Sequence, residues 1–376
     1  GSQTVRLLAE TGPPQSHAAP PADTLLPERS PLESRSTAGL RPIEVLEKSI
    51  GHYIVDRGGL KTVIAGYPWF LDWGRDSLIF ARGLVAARRF EDARAVLKLF
   101  GQYEDRGTLP NMIRGADAGN RDTSDAPLWF VVACSELAAA EGGESLLKSD
   151  CGGRTVKQVI ASIAKAFIAG TPNGVKMDPD SGLIFSPSHF TWMDTNFPAG
   201  SPRQGYPIEI QVFWHATLDF LARIDKKEGR RWKALAETVR ESLTTLFWQP
   251  SLGCLADCLH AAPGQTARRA DADDHLRPNQ LFAITLGAVT EPERARQILM
   301  ACEELLVPGA IRSLADRAVS RALPVHFNGN LVNDPLRPYW GQYSGDAATR
   351  TRAASRPTTT APPGPGRSLP TARPGR

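Results

Sequence analysis

The sequence has few cysteines, no long apolar run and little excess of charge, and each absence excludes a class of protein. Its five cysteines are odd in number and scattered, which argues against a disulfide framework and fits a reducing compartment. Cys254 and Cys258 lie four residues apart, but no further pair of cysteines or histidines completes a zinc set, so we expect no metal and no other cofactor. No apolar run is long enough to span a bilayer, so we expect no membrane partner.

The formal net charge of +4 arises from the end of the chain, because residues 347–376 contain six arginines and no acidic residue. The remainder is close to neutral, so the sequence does not support nucleic-acid binding, which needs a basic patch on a folded surface. The first residues lack a charged start followed by an apolar block, so we predict no secretion signal and a cytoplasmic location. Nothing in the composition specifies an oligomeric state.

Both ends differ in composition from the middle of the chain. Residues 1–40 are rich in Pro, Ala and Ser and read as a linker. Residues 347–376 are nearly all Ala, Thr, Arg and Pro, so they cannot bury enough surface to order themselves, and they resemble translation in a shifted reading frame of GC-rich DNA. The whole chain is 41% apolar and 22% charged, which is typical of a globular protein, and we assign residues 41–346 to one domain.

Helical periodicity dominates residues 41–320 and predicts an all-α fold of about nine or ten helices. The predicted helices are 42–55, 76–89, 90–104, 125–143, 155–170, 208–224, 230–248, 279–289 and 291–306. Alternating strand patterns are scarce, with GLIFSP the best candidate. Long polar or aromatic connections alternate with short ones, which indicates an α/α toroid whose alternate loops form a site at one rim. An α-solenoid is the alternative, but no repeat of fixed period is present.

The segment YPWFLDWGRDSLIF, residues 67–80, crowds aromatics against charged groups. Flat rings stack on the apolar faces of sugars, and carboxylates and guanidinium groups bind sugar hydroxyls. Trp69 and Trp73 are therefore candidates for a sugar platform, and Arg75 and Asp76 for hydroxyl ligands. The alternative is an aromatic helix start with a surface Arg–Asp pair, in which Asp76 caps the helix that follows.

A second loop, residues 106–130, is long and polar, which in a compact domain indicates function. Asn111, Asp125 and Trp129 are its candidate substrate ligands. Asp125 also precedes a predicted helix and is a plausible N-cap, and Trp129 could equally belong to the core.

A third loop, residues 186–214, contains a carboxyl group beside an indole in the segment TWMDT. An Asp194 carboxyl packed against Trp192 would lose hydration, so its pKa would rise and it could act as a general acid. Glu209 could supply a second carboxylate for binding or catalysis. The alternatives are a turn residue for Asp194 and a charge in the first helical turn for Glu209.

A fourth loop leads into the predicted helix at 279–289. Arg277, Asn279 and Gln280 could line a pocket or cap that helix. His260 and His275 flank the loop and are predicted to be solvated.

Five segments together resemble the amylo-α-1,6-glucosidase domain of the glycogen debranching enzyme family. They are TVIAGYPWFLDWGRDSLIFARGL (62–84), TLPNMIRG (108–115), TSDAPLWF (123–130), TWMDTNFPAGSPRQGYPIEIQVFW (191–214) and LRPNQLFAITL (276–286). The resemblance implies an (α/α)6 barrel that removes a single α-1,6-linked glucose stub from glycogen or a branched α-glucan, with inversion. It implies that Asp194 matches the general acid, and that the DWGRD segment and Asp125 help to hold the terminal glucose.

The chain departs from the family pattern after Asp346. The family's general base follows later, and this chain continues instead with its Arg- and Pro-rich tail. We therefore expect an incomplete barrel with an exposed apolar groove and with activity reduced or lost. Two alternatives remain: another (α/α)6 exo-glycosidase of glucoamylase or trehalase type, and a non-catalytic carbohydrate-binding pseudo-enzyme. The sequence does not indicate whether a 4-α-glucanotransferase domain belongs upstream.

Overall fold

The structure is a computed structural model that describes residues 41–194, 201–324, 326–327, 330–331 and 333–339. The predicted linker at 1–40 and tail at 347–376 lie outside these residues. The chain divides into two units, residues 1–49 and residues 50–376. The described part of the first unit is Arg41 and most of helix α1 (Pro42–Ile50).

The second unit is mainly helical, and its described part contains nine further α-helices. They are α2 (Gly74–Ala86), α3 (Phe90–Gln102), α4 (Ala126–Ala140), α5 (Ser145–Lys148), α6 (Val156–Ala169), α7 (Ile208–Ile224), α8 (Gly229–Ser242), α9 (Leu281–Thr285) and α10 (Pro292–Glu303). Single turns of 3-10 helix at 51–53, 267–269 and 278–280 and a π-helical segment at 243–247 complete the helical structure of the described residues.

The strands are short and lie in the connections between helices. They are β1 (Ile54–Arg57), β2 (Leu60–Val63), β3 (Asp72–Trp73), β4 (Met112–Ile113), β5 (Lys176–Met177), β6 (Ile184–Phe185), β7 (Gly205–Pro207), β8 (Trp248–Gln249), β9 (Cys254–Leu255), β10 (Cys258–His260), β11 (Asp271–Ala272), β12 (Leu306–Val307), β13 (Ala310–Ile311), β14 (His326–Phe327) and β15 (Asn330–Leu331). All pairings are antiparallel. Most sheets are single pairs, but β10 lies between β7 and β11.

Helices α4 and α7 form the centre of the core. Every residue from Ala126 to Cys134 in α4 is buried, as are the first eight residues of α7, Ile208 to His215. A helix that is apolar nearly all round must be covered on several sides. The other long helices are amphipathic; α6, for example, starts with a capping box between Thr155 and Gln158 and buries one face.

The packing order of the helices alternates along the chain. Helix α2 packs against α4, α4 against α7, and α7 against α9, so alternate helices form one continuous layer. Helices α3, α6, α8 and α10 pack against members of that layer. This arrangement agrees with the predicted alternation of connections. Closure of the layer into a six-pair toroid stays a prediction.

The structure corrects the predicted helix boundaries at four places. The predicted helix 42–55 ends at Ile50, and Ile54 and Val55 lie in strand β1. The predicted helix 230–248 ends at Ser242, and residues 243–247 are π-helical.

Helix α2 begins at Gly74 and its N-cap position is Trp73, so Asp76 lies in the first turn and does not cap the helix. Helix α9 is only five residues long and ends before Gly287, whose φ of +74° is left-handed. The other long helices lie within about two residues of their predicted starts, which is the usual uncertainty of a helix end.

All five cysteines are free and buried. In the part of the chain that the structure describes, no helix has the length and hydropathy that a membrane crossing requires.

Candidate functional site

An open cleft of about 860 Å³ lies in the second unit, where the loops before α2, α4, α7 and α9 meet. Its lining combines aliphatic and aromatic side chains with a small polar group. The polar members named by the sequence analysis are Arg75, Asp76, Asp125, Glu209 and Asn279. Side chains far apart in the sequence thus converge at one place, as expected for loops that share one end of a helical layer.

Arg75 connects two of the predicted carboxylates. Its Nε and one terminal nitrogen donate to the two oxygens of Asp125 at 2.5 and 3.1 Å, and the other nitrogen donates to Asp194 Oδ2 at 3.0 Å. Burial disfavours the charge on Arg75, but the two carboxylates outweigh it and raise the pKa of the guanidinium. Arg75 therefore stays charged and fixes Asp125 and Asp194 relative to each other.

Asp125 occupies the N-cap position of α4, but its side chain makes no capping hydrogen bond. The hydroxyl of Thr123 takes that role, since it accepts the backbone N–H of Ala126 at 3.3 Å. The same hydroxyl donates to Asp125 Oδ1 at 2.7 Å. The capping interpretation of Asp125 is thus replaced by one in which its carboxylate orients Arg75.

Asp76 is the carboxylate most open to the cleft. Its side chain is exposed and lines the cavity beside Arg75. Loss of solvent near the cleft walls raises the pKa of Asp76, Arg75 opposes this rise, and the charges of Asp194 and Asp125 add to it. Among the described ion pairs none involves Asp76, so this carboxyl is available to a ligand.

The aromatic wall of the cleft comes from helices α4, α7 and α9. Trp129 packs against Phe213 and Phe282, with ring centroids 4.1 and 5.4 Å apart, and it is almost completely buried. Trp192 is half-buried, lines the cleft and donates its indole N–H to Asn279 Oδ1 at 2.8 Å. Trp192 is therefore the aromatic side chain best placed to stack on a ligand.

Glu209 lines the cleft but is held by a buried ion pair. Arg203 donates to both its oxygens at 2.5 Å and also to Asp257, at 2.7 Å from Nε. Burial raises the pKa of Glu209, whereas the charge and hydrogen bonds of Arg203 lower it. Burial also lowers the pKa of Arg203, but Asp257 and Glu209 raise it well above its usual value. Each oxygen of Glu209 thus accepts a hydrogen bond from Arg203, which fixes the carboxylate in its place at the cleft.

The same ion pair supports the loop that carries Asp194. Arg203 also donates to the hydroxyl of Thr191 at 3.0 Å, and that hydroxyl accepts the N–H of Met193 at 3.3 Å. Asn279 links Asp257, at 2.7 Å, to the indole of Trp192. Sequence reasoning missed Arg203 and Asp257, because an arginine in a polar loop carries no signal that it is buried.

Four predicted site residues lie outside the cleft lining, and one of them, Asp194, is connected to the cleft through its hydrogen bond from Arg75. Trp69 is 79% exposed on the turn before β3, Trp73 lies in β3, and Asn111 is buried beside β4. None of them is among the residues that line the cavity. The residues of the DWGRD segment do not share one role. Asp72 is buried and forms an ion pair with Arg57 at 2.6 Å, so its role is structural.

The two histidines that flank the fourth loop are not solvated as predicted. His275 is buried and His260 half-buried, and both contact the carboxylate of Asp273. Their ligand atoms and that of Asp273 lie within 4.8 Å of one another, which makes them a group that could hold a metal ion. Neither histidine lines the cleft.

Comparison with known proteins gives consistent matches. The family model described as amylo-alpha-1,6-glucosidase matches residues 48–333. The glycogen debranching enzyme of Saccharomyces cerevisiae is 24% identical, over 78% of this chain and 24% of its own length, so the chain spans about a quarter of that relative.

Solved glycosidases share the fold. The neutral trehalase of Saccharomyces cerevisiae superposes with a TM-score of 0.50 and 15% identity, over 69% of this chain and 58% of its own. Two structures of glycosidase variants, one of them in complex with glucose, have TM-scores of 0.51 and 0.50 and 14% identity, over 73% of this chain and 75% of theirs.

Proposed function

Because this chain belongs to the amylo-alpha-1,6-glucosidase family, we propose that it acts as a glycoside hydrolase on a single α-1,6-linked glucose stub of glycogen or a related branched α-glucan. The name of the yeast relative, glycogen debranching enzyme, supports this substrate class. We further propose that the alternating helices are part of an (α/α)6 toroid. The packing order of α2, α4, α7 and α9 and the likeness to a trehalase support that architecture.

One observation carries the proposal: Arg75 lines the cleft together with Asp76, Asp125 and Trp192, and it also holds Asp194 by a hydrogen bond. A terminal sugar needs charged ligands for its hydroxyls and a flat surface for its C–H face, and the cleft offers both. A glycosidase of the same fold has been solved with glucose, which supports a glucose-sized ligand for this cleft.

In this proposal Asp194 is the general acid that protonates the leaving glycosidic oxygen, as the TWMD segment implies. Glycoside hydrolysis with inversion needs such an acid and a second carboxylate that activates water. The structure favours Asp76 as the second candidate for the acid, because it faces the cleft and its pKa is raised. A general acid acts only while it is protonated, so the two assignments differ in which variant loses the alkaline limb of the pH–rate profile.

The charges around Arg75 suit the transition state of this reaction. One guanidinium faces three carboxyl groups, those of Asp76, Asp125 and Asp194. An oxocarbenium-like transition state carries positive charge, so surplus negative charge at the cleft stabilises it. Glu209 is a weaker candidate for the general base, because Arg203 holds both of its oxygens. We propose that the base is supplied from outside the described residues.

The test is glucose release from maltotriose that carries one α-1,6-linked glucose, with linear maltotriose and trehalose as competing substrates. We expect release from the branched sugar only. Asp194→Asn should lower the rate by about a hundred- to ten-thousand-fold and leave sugar affinity within a few-fold. Asp219→Asn, in an exposed ion pair on α7, is the matched control and should change neither quantity.

Two outcomes would contradict the proposal. Faster release from trehalose would place the chain with trehalase-type exo-glycosidases, whose fold it shares. Binding of the branched sugar without any release would favour a non-catalytic carbohydrate-binding protein. Calorimetry of the same sugar with wild-type protein separates the second outcome from a chain that binds no sugar.

A further inference from the structure

We propose that His260, Asp273 and His275 form a binding site for a divalent metal ion of the zinc class. The three residues come from β10 and from the segment that follows β11, and they lie outside the lining of the cleft. Two imidazoles and one carboxylate are a donor set that zinc and cobalt accept readily, whereas magnesium and calcium prefer oxygen ligands.

The distances fit three ligands around one ion. His275 Nδ1 lies 3.4 Å from Asp273 Oδ2, and the ligand atoms of all three residues lie within 4.8 Å of one another. A tetrahedral site with arms of about 2.0–2.1 Å has edges of about 3.3–3.4 Å. His260 Nε2 lies closer, 2.8 Å from the same oxygen, which is a hydrogen-bond distance. Metal binding would therefore displace the proton shared by His260 and Asp273.

The hydrogen bonds of His275 orient it as a ligand. Its Nε2 lies 2.8 Å from the backbone oxygen of Arg321, and since a carbonyl only accepts, Nε2 carries the hydrogen. Nδ1 is then the nitrogen that faces Asp273 Oδ2, and either a proton or a metal ion can lie between these two atoms. A backbone carbonyl on the far nitrogen is the usual partner of a metal-bound histidine.

Asp273 is held in position by the backbone, and the described ion pairs give it no arginine or lysine partner. Its Oδ1 accepts the N–H groups of Asp257 and Cys258 at 2.9 and 3.2 Å, which leaves Oδ2 for the histidines. The carboxylate is buried, and in the described part of the chain its ion-pair partners are the two histidines rather than an arginine or lysine. A buried carboxylate is costly without a compensating charge, which a divalent ion would supply.

The site is accessible and has a structural consequence. The His260 side chain is 18% exposed, so solvent can reach the ion and fill a fourth position. The ion would tie β10 to the segment at Arg321 through His275. Through Asp273 it would also fix the backbone of Asp257, whose carboxylate holds Arg203 behind the cleft.

The experiment is a titration of chelator-treated full chain with Zn²⁺ by calorimetry and with Co²⁺ by visible absorption. We expect one equivalent per chain, a Co²⁺ spectrum of tetrahedral intensity, and a higher melting temperature with Zn²⁺. His260→Ala should weaken the affinity by about ten-fold or more. His52→Ala removes an exposed histidine outside the group and should leave the affinity unchanged.

The proposal is overturned if wild-type protein binds no Zn²⁺, or if His260→Ala binds it as tightly as wild type. If His260→Ala fails to fold, X-ray absorption of the wild-type zinc complex tests the proposal independently, because it identifies the ligand atoms around the ion. Two imidazole ligands and an oxygen ligand would support the site. A sulfur ligand or fewer than two imidazoles would overturn it.

Discussion

Arg75 is the residue on which the candidate site depends. Its planar fork engages Asp125 through two nitrogens and Asp194 through the third, so no other side chain could hold both carboxylates in this geometry. Asp76 lies next to it in the chain but has no ion-pair partner among the described residues. The neighbouring acids therefore have different tasks: Asp125 and Asp194 are both bound to Arg75, and Asp76 is the carboxylate left to face a sugar.

The raised pKa of Asp76 predicts how its replacement changes stability with pH. A carboxyl whose pKa is raised on folding stabilises the protein below its unfolded pKa of about 3.9, and this contribution is lost as pH rises through the folded value. The free energy of unfolding of Asp76→Asn, relative to wild type, should therefore increase as pH rises above about 4. Urea denaturation at several pH values measures it, and Asp219→Asn is the exposed control. A relative stability that falls with rising pH would show that the ionised form of Asp76 is favoured by the fold.

The start of α2 shows how short strands place the site. Strand β3 pairs with β4, and the N–H of Gly74 donates to the backbone oxygen of Asn111 at 2.9 Å. A Cβ on Gly74 would meet the backbone oxygen of Pro110 at 2.3 Å, so only glycine permits this approach. The first turn of α2 is thereby fixed against the loop before α4, and Arg75 reaches Asp125.

Gly74→Ala should destabilise the protein by about 1–3 kcal/mol, because the backbone of Pro110 must move. It should also weaken sugar binding by displacing Arg75. Gly83→Ala is the matched control within α2, since a Cβ there meets nothing closer than 3.9 Å and alanine favours a helix interior by about 0.5–1 kcal/mol. Thermal melts of both variants provide the measurement. Equal melting temperatures would contradict the role given to the close approach at Gly74.

Arg203 provides the corresponding test for the loop before α7. Arg203→Leu leaves Glu209 and Asp257 without their shared partner, and breaking a buried pair costs about 3–5 kcal/mol. Arg223→Leu, in an exposed pair with Asp219, should cost about 0–1 kcal/mol. Urea unfolding gives both values. Similar costs for the two variants would mean that the Arg203 network is not a buried support.

Across the whole chain, the helices could be predicted better than the contacts. The 3.6-residue periodicity identified α3, α4, α6, α7 and α10, because one face of each is covered by the core or the whole helix is apolar. The two-residue strands are too short to show an alternation of apolar and polar residues in the sequence. These strands nevertheless fix the positions of the loops, including the loop that carries Trp69. The platform predicted from Trp69 and Trp73 therefore has no counterpart in the cleft lining.

The convergence of distant loops was predictable, but the task of each charged side chain was not. Arg75, Asp76, Asp125 and Trp192 meet at the cleft as the alternating connections predict. Whether a carboxylate binds a ligand or an arginine depends on partners far away in the sequence, as with Glu209 and Arg203. The same reason explains why His260 and His275 were wrongly predicted to be solvated: nothing in their local sequence indicates that they pack against Asp273.

A crystal structure of the full chain soaked with glucose tests the central claim most directly. The account predicts one glucose in the cleft, within hydrogen-bond reach of Asp76 and Asp194 and with one face against Trp192, while Arg75 keeps its bonds to Asp125. Glucose bound elsewhere on the chain, or a cleft that remains without sugar at saturating concentration, would contradict it.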